Sequence, residues 1–357
     1  MLKIATIIGT RPEIIKMSSV IRGCIAQNIE HFIIHSNQHY SENMDEIFFK
    51  ELKLPLPKYN LNVGSGLHGE MTAKIILGVE KILIKEKPNW VLVQGDTNTV
   101  MAGALAASKL QSKIGHVEAG LRSYDRSMPE EINRIVADHI SDALFAPTQK
   151  QADILKNEGI PSEKIIVSGN TIVDAVYHNL ALVEKHPELD HYKSEKYFLL
   201  TMHRPSNVDS EENLTELLAA ITEASVKHGY PVYFPIHPRT RKQIKKFGIK
   251  INNKHLKLIN PVGYLEMLAL EKNAELIFTD SGGVQEEACI LRVPSVALRE
   301  NTERPETLEV GSTVLVGHDN QKIISGAETM LKKKRNWPNP FGDGNAWKKI
   351  IDLLIKI

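Results

Sequence analysis

The residues with the clearest chemical potential are Ser281, Gly282 and Gly283, which follow a short apolar run at Leu276–Phe278. Consecutive glycines let bare backbone approach a ligand, because glycine has no Cβ and tolerates positive φ. A helix predicted to begin near Val284 would direct free N–H groups and the positive end of its dipole at this turn. The segment therefore predicts an anion site suited to a diphosphate, although an ordinary strand–helix turn has the same appearance.

Further polar residues of the second half of the chain fit such a ligand. Glu287 would repel a bound phosphate unless it faces elsewhere, so we assign it to sugar hydroxyls, which carboxylates hold in nucleotide sites. His203 and His237 each follow a predicted strand, and a histidine there can hold a phosphate oxygen or act as an acid. Arg304 could bind sugar or phosphate, or form a salt bridge within its loop.

The first half offers cations and carboxylates at predicted strand ends. Arg11 and Lys16 lie near a helix N-terminus, where the dipole disfavours cations unless an anion is bound. Asp96 and Glu118 each end an apolar run, which makes them candidates for proton transfer if burial raises a pKa. Glu130 opens a helix, a position where acidic residues are also common for purely structural reasons.

These residues follow the strands of a repeating strand–helix pattern. The predicted strands are the apolar runs Leu2–Ile8, Ile33–Ser36, Trp90–Val93, Ile114–Val117, Leu144–Ala146, Tyr197–Thr201, Val232–Pro235, Leu256–Ile259, Leu276–Phe278 and Ser295–Leu298. Alternation of this kind predicts parallel, doubly wound sheets, which bind ligands beyond the carboxyl ends of their strands. A polar stretch at Leu182–Lys196 indicates a nearby boundary between two domains, placed at residues 1–170 and 171–340.

Composition excludes several classes of function. The chain has 357 residues and a formal net charge of +1, so no global field recruits nucleic acid or an anionic membrane. Cys24 and Cys289 form no disulfide framework or metal knuckle, and no apolar run reaches membrane-spanning length, which favours a cytoplasmic protein. The literal GxGxxG at Gly64–Gly69 lacks a preceding buried strand, so a dinucleotide site is not indicated, and nothing predicts a metal or another cofactor.

Seven motifs agree in order and spacing with one known family. They are GTRPEIIK (9–16), QGDTNT (94–99), GHVEAGLRS (115–123), PEEINR (129–134), TMHRPSN (201–207), TDSGGVQEEA (279–288) and NTERPET (301–307). The chain closely resembles the non-hydrolysing UDP-N-acetylglucosamine 2-epimerases, most of all the archaeal members. The resemblance implies two Rossmann-like domains of glycosyltransferase B type with the active site in the cleft between them. It also implies a final helix (341–357) packing back on the first domain, and a homodimer.

The resemblance also assigns residues, by motif. Contacts to UDP or its sugar would come from Arg11, Lys16, His203, Ser281, Gly282, Gly283, Glu287 and Arg304, and the catalytic positions would be Asp96, Glu118, Glu130 and His203. Met267 stands where bacterial members have a uracil-side aromatic residue. The motif that helps bind an activating second UDP-GlcNAc in bacterial relatives reads Gln38-His39-Tyr40 here, so Gln38 and His39 are candidates for an allosteric site.

The implied reaction is reversible interconversion of UDP-GlcNAc and UDP-ManNAc. Elimination of UDP gives a 2-acetamidoglucal, and re-addition with a proton on the opposite face gives the epimer. Three other functions stay open at this stage. They are a UDP-sugar glycosyltransferase, a hydrolysing epimerase that releases ManNAc and UDP, and a non-catalytic UDP-sugar sensor.

Overall fold

The computed structural model describes residues 2–37, 48–251 and 254–356. The chain divides into two compact units, the first formed by Met1–His178 and Phe341–Ile357 and the second by Asn179–Pro340. The sequence placed the boundary at residue 170, just before the helix Thr171–Val183 begins, whereas the structure places it inside that helix. None of the described helices is both long enough and apolar enough to cross a bilayer.

Within the described residues, the first unit contains a seven-stranded sheet with the order β3-β2-β1-β4-β5-β6-β7. Its strands are β1 (Lys3–Ile8), β2 (Glu30–His35), β3 (Tyr59–Asn60), β4 (Trp90–Gln94), β5 (Lys113–Val117), β6 (Ala143–Ala146) and β7 (Ile165–Val167). Every pairing is parallel. The strand order reverses between β1 and β4, so their carboxyl ends flank the switch point at which such sheets bind ligands.

In the described part of the second unit, the same plan recurs as a six-stranded sheet in the order β10-β9-β8-β11-β12-β13. Its strands are β8 (Phe198–Thr201), β9 (Val232–Pro235), β10 (Leu256–Ile259), β11 (Leu276–Thr279), β12 (Ser295–Ala297) and β13 (Thr313–Leu315). All pairings are parallel here as well. The switch point lies between β8 and β11. The two sheets confirm the predicted fold class of two α/β domains with parallel strands.

Helices connect the strands and cover the sheets. In the first unit they are α1 (Arg11–Ala26), α2 (His68–Glu86), α3 (Asn98–Ser108), α4 (Pro129–Ile140), α5 (Gln149–Asn157), α6 (Thr171–Val183), which runs on into the second unit, and α14 (Ala346–Lys356). In the second they are α7 (Pro205–Val208), α8 (Glu211–His228), α9 (Pro238–Phe247), α10 (Tyr264–Asn273), α11 (Gly282–Ile290), α12 (Pro305–Glu309) and α13 (Asn320–Leu331). The final helix α14 packs against α1, where Trp347 and Ile351 occupy the space that a side chain at Gly23 would need.

The central strands are buried on both faces, which explains why the sequence reads them as continuous apolar runs. In the first unit Ile7 and Val91 have no exposed surface, and in the second the same is true of Phe198 and Phe278. Because these strands are mostly apolar, most of the polar residues that matter for function come after the strands end. The structure places the candidate residues there.

Candidate active site

In the second unit the Ser-Gly-Gly turn begins α11 earlier than predicted. Ser281 is the N-cap, and its hydroxyl accepts a 3.4 Å hydrogen bond from the N–H of Val284. Gly282 and Gly283 are the first helical residues, and neither has positive φ. Of the two properties of glycine, the structure uses the missing Cβ here and not the tolerance of positive φ. A Cβ on Gly282 would meet no protein atom closer than 4.0 Å, so the missing side chains leave open space over a helix N-terminus.

Asp280 fixes His203 beside this helix start. The Asp280 carboxylate is fully buried and accepts hydrogen bonds at Oδ2 from the N–H groups of His203 (2.9 Å) and Arg204 (2.8 Å) and from Nδ2 of Asn207 (3.1 Å). Its Oδ1 lies 3.0 Å from Nδ1 of His203, whose side chain is 42% exposed. Burial would raise the pKa of Asp280, but these hydrogen bonds and the His203 ring outweigh it and lower that pKa. Since Nδ1 faces the Asp280 carboxylate, Nε2 of His203 remains for a ligand.

His237 follows the neighbouring strand β9, and its ring lies tilted beside that of His203, with 5.3 Å between the ring centroids. Its Nδ1 accepts a 3.2 Å hydrogen bond from the N–H of Arg239, which makes His237 the N-cap of α9. His237, predicted to bind the ligand, therefore caps a helix and also lies next to His203.

Arg304 is anchored to the same helix as the glycines. Its Nε donates to Oε1 of the buried Glu286 at 2.5 Å. Its neighbour Glu303 makes a two-point ion pair with Arg299, at 2.9 and 2.7 Å. Burial acts to raise the pKa of Glu303, but Arg299 outweighs it and lowers that pKa to about 2. The sequence left open whether Arg304 binds the ligand or forms a salt bridge within its loop. The structure shows a salt bridge, but its partner is Glu286 on α11.

In the first unit, Lys16 and Glu118 form a buried ion pair. Lys16 Nζ lies 2.7 Å from each carboxylate oxygen of Glu118, and Gln94 also donates to Glu118 Oε2. Glu118 adopts φ of 69°, in the left-handed region that a residue with a side chain seldom occupies. Backbone strain of this kind concentrates at functional sites. The anion next to Lys16 is thus supplied by the protein itself.

Asp96 is paired with Arg134, whose other terminal nitrogen lies 2.6 Å from Glu131. Glu131 also accepts hydrogen bonds from the N–H groups of Ser123 and Tyr124, each at 2.9 Å. Burial would raise the pKa of Glu131, but these donors and Arg134 together lower it. Glu131 is therefore a structural carboxylate, whereas its neighbour Glu130 is exposed.

Glu130 lines a pocket of about 270 Å³ in the first unit. The other lining residues are Ser65, Gly66, His68, Met71, Thr97, Asn98, Pro129 and Asn133. Asn98 links the walls, because its Nδ2 lies 3.0 Å from His68 Nδ1 and its Oδ1 accepts a 3.2 Å hydrogen bond from Asn133. The Gly64–Gly69 loop follows only the two-residue strand β3, as expected from its poor fit to a dinucleotide fingerprint, yet it contributes three residues to this pocket.

A buried imidazolium supports the loop that carries Asp96. His116 Nδ1 lies 2.7 Å from Asp138 Oδ1, and its Nε2 lies 2.8 Å from the carbonyl oxygen of Gly95. Both partners are acceptors, so both ring nitrogens must carry a proton. Burial would lower the pKa of His116, but the Asp138 carboxylate outweighs it and raises that pKa. The positive charge holds Gly95 in place directly before Asp96.

Glu13 joins two strand-end loops. Its Oε2 accepts a 2.5 Å hydrogen bond from the N–H of Gly9, and its Oε1 accepts one of 2.6 Å from the hydroxyl of Thr97. Glycine is required at position 9, because a Cβ there would lie 2.2 Å from Thr99 Oγ1. Burial raises the pKa of Glu13 to about 7. The loops after β1 and β4 are therefore tied together by a carboxyl group that is close to titration at neutral pH.

The structure groups most of the predicted residues within their own units. In the first, Lys16 and Glu118 meet directly, and Asp96 contacts Arg134, one turn after Glu130 on α4. The guanidinium of Arg11 lies 4.8 Å from the ring of Phe48. In the second, His203, His237 and Ser281 lie at adjacent strand ends. Gln38 and His39 lie outside the described residues, so their allosteric assignment stays a prediction.

Sequence reasoning missed several residues that build these sites. They are Glu13, Arg134, His116 with Asp138, Asn207, and the two buried partners of Glu287, which are Tyr264 and Glu271. A signal was present for Arg134, which lies one turn after Glu130 in the PEEINR motif and thus on the same side of α4. The others depend on partners far away in the sequence.

The fold and its polar strand ends are those of an α/β protein with a site suited to an anionic ligand at a sheet switch point. Residues 24–355 match the protein family described as UDP-N-acetylglucosamine 2-epimerase. The chain is 59% identical to the UDP-N-acetylglucosamine 2-epimerase of Methanococcus maripaludis, over 99% of this chain and 98% of that protein. It therefore belongs to the UDP-N-acetylglucosamine 2-epimerase family.

A solved structure and a more distant relative extend this comparison. The chain superimposes with a TM-score of 0.93 on the Methanocaldococcus jannaschii UDP-GlcNAc 2-epimerase, solved in complex with UDP-GlcNAc and UDP, at 57% identity with full coverage of both chains. This likeness confirms the predicted glycosyltransferase B-type fold. The Pseudomonas aeruginosa UDP-2,3-diacetamido-2,3-dideoxy-D-glucuronate 2-epimerase is 42% identical, with full coverage of both proteins.

Proposed function

We propose that this protein is a non-hydrolysing UDP-N-acetylglucosamine 2-epimerase that reversibly interconverts UDP-GlcNAc and UDP-ManNAc. The observation that carries the proposal is the open space over Gly282 and Gly283 at the start of α11, with His203 held beside it by Asp280. A diphosphate fits a helix N-terminus that offers free N–H groups and a neighbouring imidazole. The names of the relatives support the choice of UDP-GlcNAc as the substrate.

The chemistry explains why a site that stabilises the diphosphate is needed. The hydrogen on carbon 2 has no adjacent carbonyl group to acidify it, so direct removal is slow. When the bond from carbon 1 to the diphosphate oxygen breaks, UDP leaves with the bonding electrons and carbon 1 becomes cationic. Loss of the carbon 2 proton then forms the double bond of 2-acetamidoglucal. Stabilising the departing diphosphate lowers the barrier, and this is the role of His203 and Ser281–Gly283.

Proton transfer needs groups for two faces of the sugar. Asp96, Glu118 and Glu130 are the proposed set. Arg134 orients Asp96 and Lys16 orients Glu118, so both carboxylates are held in fixed positions, whereas Glu130 lies in the open pocket. The glycal is then protonated at carbon 2 from the opposite face, and UDP adds back to carbon 1, which gives the epimer.

Other residues would hold the remainder of the substrate. Glu287 is proposed to contact the ribose hydroxyls, and Arg11, His237 and Arg304 the phosphates or the sugar. Lys16 is proposed to act through Glu118, since its ammonium group is already paired with that carboxylate.

The test is proton NMR of the purified protein with UDP-GlcNAc in D₂O. We expect UDP-ManNAc signals to grow with deuterium at carbon 2 and without free ManNAc. Release of free ManNAc would show a hydrolysing epimerase instead. Turnover only after an acceptor is added would show a glycosyltransferase, and UDP binding without any turnover would show a sensor.

A second candidate substrate comes from the Pseudomonas aeruginosa relative, which is named for a UDP-2,3-diacetamido uronate. The two substrates share UDP and the 2-acetamido group and differ at carbons 3 and 6. We expect UDP-GlcNAc to have the higher kcat/KM, in line with the greater identity of the Methanococcus maripaludis relative. Measuring both under the same conditions separates the two candidates, and preference for the uronate would reassign the substrate.

We also propose a cytoplasmic homodimer. The two cysteines, Cys24 and Cys289, are buried free thiols, which suits a reducing compartment. The dimer rests on the family resemblance and is tested by sedimentation velocity. Activation through Gln38 and His39 would appear as sigmoidal dependence of the rate on UDP-GlcNAc, which Gln38→Ala should abolish.

A further inference from the structure

Glu287 is held by another residue of the second unit before any ligand binds. Its side chain is buried on α11, and the hydroxyl of Tyr264 donates to its Oε1 at 2.8 Å. A second contact comes from Glu271 on the neighbouring helix α10.

Glu271 is fully buried, and its carboxyl group lies in hydrogen-bonding contact with that of Glu287. Among the described residues, no N–H or O–H group donates to either oxygen of Glu271. Two carboxylates cannot share such a contact while both are charged, because no proton would join them and like charges repel strongly at low dielectric constant. One of the two must therefore carry a proton.

The surrounding groups place that proton on Glu271. Within the described residues, the titratable groups that interact with it are Glu287 from α11, which also accepts from Tyr264, and Tyr197 just before β8. The Tyr197 hydroxyl donates to the carbonyl of Leu270 at 2.7 Å. From the turn at Pro187–Lys193, which packs on α10, Tyr192 donates to Glu266 at 2.7 Å. None of these groups is a cation.

Burial and the nearby Glu287 carboxylate raise the pKa of Glu271 well above its ordinary value. Glu287, in contrast, has the Tyr264 hydroxyl as a donor, which favours its charged form. The arrangement is thus a neutral acid donating to a carboxylate.

We propose that Glu271 is a positioning residue that, as a neutral acid, donates a hydrogen bond to Glu287 and aligns that carboxylate with the ribose hydroxyls of UDP. This inference rests on the proposed function, because it takes Glu287 as the ribose contact. With Tyr264 and Glu271 both donating, the rotation of the Glu287 carboxylate is fixed before the nucleotide arrives, which reduces the entropy lost on binding.

The test compares two variants of the full-length protein. Glu271→Gln keeps the shape and an N–H donor, whereas Glu271→Met keeps the volume and removes the donor. Calorimetry would measure the affinity of each for UDP and for 2′,3′-dideoxy-UDP, which lacks the ribose hydroxyls. Loss of one hydrogen bond to a charged group predicts about tenfold weaker UDP binding by Glu271→Met. Its binding of dideoxy-UDP should be unchanged, so the discrimination between the two nucleotides falls by the same factor.

Glu271→Gln should bind UDP as tightly as the wild type near neutral pH. As the pH rises above neutral, the wild type should lose affinity because Glu271 loses its proton and the donor disappears. The glutamine variant has no such proton, so its affinity should fall less. This pH profile tests the proposal even if Glu271→Met fails to fold, and thermal unfolding of both variants reports folding.

Glu287→Gln separates this inference from the proposed function. If Glu287→Gln weakens UDP binding but Glu271→Met keeps wild-type affinity and discrimination, the role of Glu271 is overturned and the ribose contact stands. The role is equally overturned if both Glu271 variants lose affinity for UDP and dideoxy-UDP alike, since that pattern reports a general structural defect. If the wild type binds no UDP, the proposed function fails and the inference fails with it.

Discussion

Lys16 Nζ lies 2.7 Å from both carboxylate oxygens of Glu118, although 102 positions separate the two residues in the sequence. Both side chains are almost completely buried. The sequence interpretation gave Lys16 to the ligand and Glu118 to catalysis as separate residues. Their contact makes them one unit, in which the lysine determines how the carboxylate is oriented.

Breaking this pair from one side should be strongly destabilising. Lys16→Met leaves a buried carboxylate without its cation, which costs about 3–5 kcal/mol. The double variant Lys16→Met, Glu118→Gln should recover a large part of that loss, because no uncompensated charge remains. Urea unfolding of the wild type, both single variants and the double variant measures the coupling. Additive losses would show that the two side chains do not interact in solution.

Asp96→Asn should retain UDP binding and lose turnover. An asparagine can still accept a hydrogen bond from Arg134, so the local structure should persist, but the amide cannot take up a proton. Removal of a general acid or base lowers kcat by about 10²- to 10⁴-fold. Calorimetry with UDP and the D₂O exchange assay measure the two properties on one preparation. Full activity would remove Asp96 from the mechanism.

Gly282→Ala should weaken nucleotide binding without harming the fold. The nearest protein atoms to the new Cβ lie 4.0 Å away, and the substitution should raise stability by about 0.4–1 kcal/mol through the unfolded chain. The methyl group would occupy space proposed for the diphosphate. A forced contact of this size costs about 1–3 kcal/mol, so UDP affinity should fall about tenfold or more.

Gly69→Ala is the matched control for that experiment. Gly69 is also in the first turn of a helix, and a Cβ there meets nothing within 4 Å. It should give a similar gain in stability with unchanged UDP affinity. Equal UDP affinity in both alanine variants would argue against a diphosphate at Gly282.

Glu13 should make stability depend on pH. Burial raises the pKa of Glu13 from 4.5 to about 7, so between these values the folded protein binds more protons than the unfolded chain. Stability is therefore lost as the pH rises through this window, by about 3 kcal/mol for a shift of this size. Glu13→Gln cannot titrate, so its free energy of unfolding should lack this loss.

Urea unfolding of both proteins at about pH 5 and about pH 8 measures the difference. The glutamine oxygen can accept from the N–H of Gly9 while its amide nitrogen donates to the hydroxyl oxygen of Thr97, which keeps the tie between the two loops. Parallel stability profiles would mean that Glu13 has an ordinary pKa.

Much of the fold can be predicted from the sequence, because strands buried on both faces consist of consecutive apolar residues. Val232–Pro235 and Leu256–Ile259 were predicted with the observed bounds, and the neighbouring strands differ by only a few residues. The short strands Tyr59–Asn60 and Thr313–Leu315 were not predicted, since a sheet edge needs few apolar residues. The start of α11 was placed two residues late, because glycine gives little helical signal.

The sequence by itself determined which residues follow the strands, and in parallel sheets the carboxyl ends of those strands share one edge. That rule was enough to select Asp96, Glu118, His203 and Ser281. Only the tertiary structure decided their partners: Lys16 for Glu118, Arg134 for Asp96, Asp280 for His203. Charge state depends on burial and on neighbours within a few ångströms, and folding brings those neighbours from distant parts of the chain. The proton between Glu271 and Glu287 therefore has no signature in the sequence.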